Sequence, residues 1–160
     1  MTDRVFPKAC GNCRQHSMAL AIIPYDIDVT HDGRTYHVHI PLLTVPRCRA
    51  CGRIVIDDEA GDIIQVAFRK EARLLSPKEI RQGRLAIGYT NQQEFANCLN
   101  VAVATVSRWE NGVQVQQRFH DGVLRAFFSV PDFRQFMEEL NGVKRPSDEF
   151  TLAATGRAKP

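Results

Sequence analysis

Four of the five cysteines in this 160-residue chain fall into two pairs, Cys10 with Cys13 and Cys48 with Cys51, each pair separated by two residues. That spacing lets both sulfurs of one turn reach a single ion, and two such turns complete the tetrahedron that Zn²⁺ prefers. Gly11 inside the first pair and Gly52 after the second ease the turns. The expected arrangement is one structural Zn²⁺ per chain held by Cys10, Cys13, Cys48 and Cys51; disulfides and a redox dithiol are the rival readings. Residues 1–9 lack the apolar core of a signal peptide, which points to a reducing, cytoplasmic compartment where disulfides are rare. The 34 residues between Cys13 and Cys48 exceed the usual zinc-ribbon gap, so the pattern specifies a metal more firmly than a named finger type. Cys98 stands apart in a helical stretch, where a small buried hydrophobe is expected.

With 44% apolar and 24% charged residues the chain has an ordinary globular balance, enough for one domain or two small ones. Its longest apolar runs, such as Ala19 to Ile23, fall far short of the roughly 20 residues a bilayer helix needs, so a soluble protein with no membrane partner is expected. A net charge of +3 and a pI near 8.7 permit nucleic acid as a partner without requiring it, because a specific reader needs positive charge only on its contact face. Arg69, Lys70, Arg73, Lys78, Arg81 and Arg84 form a basic stretch opposed by Glu71 and Glu79; it reads as a contact surface or, more commonly for charge runs, a solvated helix face.

Between the cysteine pairs the hydrophobic period is two. Ile23, Tyr25, Ile27 and Val29 alternate before the Asp32–Gly33 step, and Tyr36, Val38, Ile40 and Leu42 alternate after it, which predicts a β-hairpin. A lone hairpin is marginal in water, so the metal is expected to fasten its ends in place of a core. His37 and His39 fall on the opposite face; four cysteines already fill the zinc shell without them. Glu59 to Leu75 has helical spacing and reads as a connecting helix. Ser76, Pro77 and Glu79 then supply an N-cap, a first-turn proline and a capping-box glutamate. From there helix signals repeat: a first helix to Gly88, a second from Thr90 or Asn91 with Glu94 as its N3 partner, a third stopped by Gly112, a fourth over about 115–128 and a fifth over about 131–140. The predicted organisation is α+β: a zinc-binding β domain over 1–56, a connecting helix and linker over 57–75, a five-helix domain over 76–143 and a disordered tail over 144–160.

Residues 91–112 meet the demands of a helix-turn-helix. Ala96 is small where two helices cross, Phe95 and Leu99 bury the first helix, Asn100 takes the turn, and Val106 with Trp109 anchors the second. At about 100° per residue, Ala104, Ser107 and Arg108 lie opposite that anchor, with Val103 at the rim. A surface of this kind enters a major groove: Arg108 can bond guanine O6 and N7 together, Ser107 can bond a base edge or phosphate, and Val103 and Ala104 suit a thymine methyl. Gln92, at the first turn of the preceding helix, is placed to hold a phosphate. In the competing reading these helices form an interaction bundle in which Arg108 pairs with a carboxylate.

This segment resembles the Xre/Cro repressor class of helix-turn-helix, matching its pattern at Gln92, Glu94, Ala96, Val101, Thr105, Ser107, Arg108, Trp109, Glu110 and Gly112. Together with the upstream cysteine pairs, residues 8–142 resemble the MqsA (YgiT-type zinc finger) antitoxin family. The resemblance implies zinc at the four cysteines, an N-terminal domain that grips a ribonuclease toxin of the MqsR type, and a C-terminal domain that forms a homodimer and represses its own operon at a palindromic operator, with Arg108 reading a base. Ala104 stands where that family carries a second base-reading Asn, and Ala102 replaces its usual Ser at the start of the recognition helix. No catalytic set is visible: there is no Gly-rich phosphate loop and no histidine placed beside an evident nucleophile, so the chain is not expected to be an enzyme. The alternatives are a zinc-containing regulator with no toxin, or a redox protein using its paired cysteines.

Overall fold

The computed structural model describes residues 6–143; the tail expected over 144–160 lies outside them. The fold is α+β, with one antiparallel hairpin and, among the described residues, six helices. The chain divides into two compact units between Arg73 and Leu74, close to the boundary expected at Ser76.

In the first unit, strands β1 (Met18–His31) and β2 (Arg34–Cys48) pair along almost their whole length, from His31 opposite Arg34 to Met18 opposite Cys48. The two-residue turn has φ 50° at Asp32 and 70° at Gly33; two consecutive left-handed residues make the turn whose twist matches that of the strands. The register slips once, where Pro24 opposes both Pro41 and Leu42. Neither proline has an N–H for the ladder, so the bulge falls where pairing is already lost. The extra residue on β2 reverses its alternation. Tyr36, Val38 and Ile40 face inward as expected, but Leu42 is turned out to 75% exposure and Leu43 is fully buried in its place.

Helix α1 (Asp58–Glu71) belongs to this unit and packs on β2, which corrects its assignment as a connector. Asp57 caps it by accepting the Ala60 N–H, and Phe68 packs edge-on against the rings of Tyr36 and His31. The hairpin therefore has a small core of its own, with Val38, Ile40, Leu43, Val45, Ala60 and Phe68 buried, which a metal at the cysteines would supplement rather than replace.

The second unit contains α2 (Pro77–Ala86), α3 (Gln92–Cys98), α4 (Val103–Glu110), α5 (Arg118–Ser129) and α6 (Pro131–Leu140). The capping box at α2 forms in full: Ser76 Oγ accepts the Glu79 N–H, and the Glu79 carboxylate accepts the Ser76 N–H at 2.7 Å. At α3 the Asn91 side chain accepts the Gln93 N–H rather than that of the anticipated partner, Glu94. Helix α5 starts at Arg118, later than the Val115 expected, because Gln116 is turned inward to donate to the Leu75 carbonyl and the Asp121 carboxylate. Tyr89, Phe95 and Phe127 form the aromatic centre of the core, with Ile80, Val106, Trp109 and Leu124 packed in the same cluster. The basic stretch does not form one surface. Arg69 and Arg84 are buried, and its members are split between the two units.

Candidate metal centre and nucleic-acid interface

The two cysteine turns are built alike. In the first, the Arg14 N–H donates to the Cys10 carbonyl and the Cys10 N–H to the Gln15 carbonyl; in the second, the Gly52 N–H donates to the Cys48 carbonyl and the Cys48 N–H to the Arg53 carbonyl. The residue after each pair is left-handed, Arg14 with φ 61° and Gly52 with φ 75°. Arg14, not Gly11, thus occupies the position that corresponds to Gly52.

This repeated turn aims four sulfurs at one point. Cys10 and Cys51 sulfurs are 3.7 Å apart, Cys13 and Cys48 sulfurs 3.6 Å, and all four lie within 4.8 Å of one another. A tetrahedron with metal–sulfur bonds of about 2.3 Å has an edge of about 3.8 Å, whereas a disulfide requires about 2.05 Å. The geometry fits four thiolates around an ion, and all four cysteines are unbridged.

The surroundings favour thiolate at two of them. Cys48 is pulled down to about 6 by the Ser17 hydroxyl at 3.1 Å and by backbone N–H groups, and Cys51 is lowered by the Arg53 N–H and the Asn12 amide. Cys13 goes the other way, up to about 11: the Gln15 N–H favours its thiolate, but burial and the neighbouring sulfurs outweigh it. Four thiolates cannot collect here without a cation to hold them together. No other group of three or more His, Cys, Asp or Glu ligand atoms converges in this way among the described residues.

In the second unit, α3 and α4 are joined by a tight turn in which Asn100 is left-handed, with φ 53°, as the sequence anticipates. Phe95, Ala96, Leu99, Val106 and Trp109 are all buried, so α4 turns its other face outward. On that face Ala104 and Arg108 are exposed while Val103 and Ser107 are half-buried. The Arg108 side chain has no hydrogen-bond or ion-pair partner among the described residues, which goes against its pairing with a carboxylate. Ser107 Oγ accepts from the Asn111 amide at 3.2 Å. Gln92 is half-buried, and its amide donates to Glu110 at 2.7 Å, tying the start of α3 to the end of α4.

Sequence reading missed the group behind that contact. Arg84 is buried and bonds both oxygens of Glu110, at 2.6 and 3.0 Å, while its third nitrogen donates to the carbonyls of Tyr89 and Thr90. One signal was available, since Arg84 lies four residues beyond the fully buried Ile80 on the same face of α2. Cys98 is buried as expected, yet its sulfur sits 3.1 Å from the Tyr89 hydroxyl, which also donates to the buried Glu138. Burial and these two neighbours push the Tyr89 phenol well above its ordinary range, so it stays a neutral donor to Glu138. No helix among the described residues is long and apolar enough to cross a membrane. No family model matches the chain, and no curated protein matches it.

Proposed function

We propose that this protein is a sequence-specific DNA-binding repressor whose α3 and α4 act as a helix-turn-helix, and that Zn²⁺ fills the four-cysteine site of its N-terminal unit. One observation carries the reading: a short helix anchored by Val106 and Trp109 presents Ala104 and Arg108 to solvent, and Arg108 has no partner among the described residues. Arginine is the commonest reader of guanine because its fork spans O6 and N7. Gln92 contributes by fixing α3 against α4. Repression is by occupancy, a dimer placing two such helices about 34 Å apart on a palindrome.

Arg108→Ala is expected to weaken binding to the operator by about 1–3 kcal/mol, roughly 5- to 150-fold, and to relax preference at one base pair. A gel shift against selected and scrambled duplexes measures it. Unchanged affinity and preference would remove Arg108 from the reading surface.

A homodimer requires a self-complementary face, and the proposed one is an exposed apolar groove of the second unit. Phe119 is 75% exposed and Leu140 65% exposed at the rim of a groove of about 530 Å³ floored by Trp109, Val123 and Met137. His120 also lines this groove, its ring packed against those of Trp109 and Phe119. Phe119→Glu should convert the dimer to a monomer in light scattering and lower operator affinity at least about tenfold, since each half-site is then bound alone. A variant that remains dimeric would place the interface elsewhere.

The first unit is the part proposed to bind a ribonuclease toxin, which makes the protein an antitoxin. Leu20, Ile22 and Leu42 are exposed on the hairpin, the last turned out by the bulge, and such a surface suits a protein partner more than a phosphate backbone. Pull-down from the native host, read together with the neighbouring genes, tests this. Recovery of a small ribonuclease supports the antitoxin, whereas its absence from both favours a regulator with no toxin.

A further inference from the structure

On the hairpin face turned away from α1, His37 stands opposite Asp28 and His39 opposite Asp26. Each pair is hydrogen-bonded in the same sense: His37 Nδ1 to Asp28 Oδ1 at 2.5 Å, and His39 Nδ1 to Asp26 Oδ1 at 2.6 Å. A carboxylate only accepts, so both Nδ1 atoms carry the proton, and in the neutral rings both Nε2 atoms carry the lone pair. Neither Nε2 has a partner among the described residues, and the imidazoles are 83% and 62% exposed.

We propose that His37 and His39 form a second metal site, separate from the four cysteines, that chelates a divalent late first-row transition ion through their two Nε2 atoms. Same-face neighbours leave a strand about 6.6 Å apart, and two imidazoles leaning together from that distance can close on one ion at bonds of about 2.0–2.1 Å. Imidazole suits Cu²⁺, Ni²⁺ and Zn²⁺, and water completes the shell. The carboxylates do for these rings what they do in protein metal centres generally: they hold the outer ring N–H and fix the tautomer and orientation of the ligating nitrogen. Cross-strand charge pairing alone would be served by either ring nitrogen. Here both pairs leave the same nitrogen facing solvent, two residues apart on one face.

The test is calorimetric titration of Ni²⁺ into the full chain with its cysteine site first saturated with Zn²⁺. One Ni²⁺ should bind per chain without releasing zinc. His37→Gln and His39→Gln should each weaken it at least tenfold; Asp26→Ala and Asp28→Ala should weaken it toward the 10- to 100-fold seen when such supporting carboxylates are removed. His16→Gln, at another exposed histidine, should leave the affinity unchanged. Because all four tested side chains are exposed, the variants keep the hairpin, and an unaltered amide spectrum outside residues 25–40 verifies it. Equal Ni²⁺ affinity in wild type and His37→Gln, or zinc released in proportion to Ni²⁺ bound, would overturn the site.

Discussion

Chelating the Zn²⁺ proposed at Cys10, Cys13, Cys48 and Cys51 should unfold the first unit and leave the second folded. The four sulfurs converge at the open end of the hairpin, where β2 ends at Cys48 and the Cys10 turn precedes β1. Structural zinc of this kind has apparent binding free energies of about 10–16 kcal/mol, comparable to or larger than the whole stability of a small domain, about 5–15 kcal/mol. A unit of this size, below about 70–80 residues, rarely gains more than a few kcal/mol from its core. The buried contacts of Phe68, Val38 and Leu43 therefore leave compact but unfixed structure when the ion is gone, not a native hairpin. The second unit holds none of the four cysteines, and its core around Tyr89, Phe95 and Phe127 owes nothing to the ion. Chelator titration followed by amide NMR should show peaks of residues 10–73 collapsing while those of 76–140 stay in place. Acid should act in the same direction, since protons compete with the metal for thiolate. Loss of both units in one transition, or a first unit that survives chelation, would contradict this account. Metal analysis of the purified chain should give about one zinc, and a metal-free, reversibly oxidised protein would restore the redox reading.

The parts of the fold legible in the sequence were those governed by local chemistry. Asp32–Gly33 specifies its turn because only residues tolerant of positive φ fit there, and the two cysteine pairs specify a shared point because two intervening residues set the reach of each turn. Ser76 and Glu79 specify a helix start for the same kind of reason. What sequence could not supply depended on partners far along the chain. Leu42 follows the alternation of Tyr36, Val38 and Ile40 perfectly, and only the unmatched residue opposite Pro24 turns it outward. Phe68 looks like part of a connector until β2 is seen to bury it. Arg84 looks like one more member of a basic run until Glu110, 26 residues on, is seen to meet it. At the candidate sites the outcome divides the same way. The cysteine cluster and the outward face of α4 follow from spacing, whereas the bond of Gln92 to Glu110 and the paired faces of the His and Asp residues follow from register and packing.

Glu110→Ala should cost the second unit about 3–5 kcal/mol, the largest effect expected of any single substitution outside the metal site, because it strips a buried guanidinium of its counter-charge. In the wild type Arg84 has every nitrogen engaged: Nε and one terminal nitrogen on Glu110, the other on the Tyr89 and Thr90 carbonyls. Without the carboxylate, two of those nitrogens and the Gln92 amide lose their acceptor where water is scarce. The effect should reach function, since the same fork fixes the loop between α2 and α3, and Gln92 orients α3 against α4. Replacing both ions, as in Arg84→Met with Glu110→Leu, should recover much of the loss, because an apolar pair has no charge to desolvate, although the Tyr89 and Thr90 carbonyls are then left without their donor. Urea melts of the zinc-loaded chain measure all three variants, and Arg108→Ala provides the contrast: it should move stability by less than about 0.5 kcal/mol while weakening DNA binding. If Glu110→Ala costs under about 1 kcal/mol, or the double replacement fares worse than the single one, the buried pair is not what holds α4 in place.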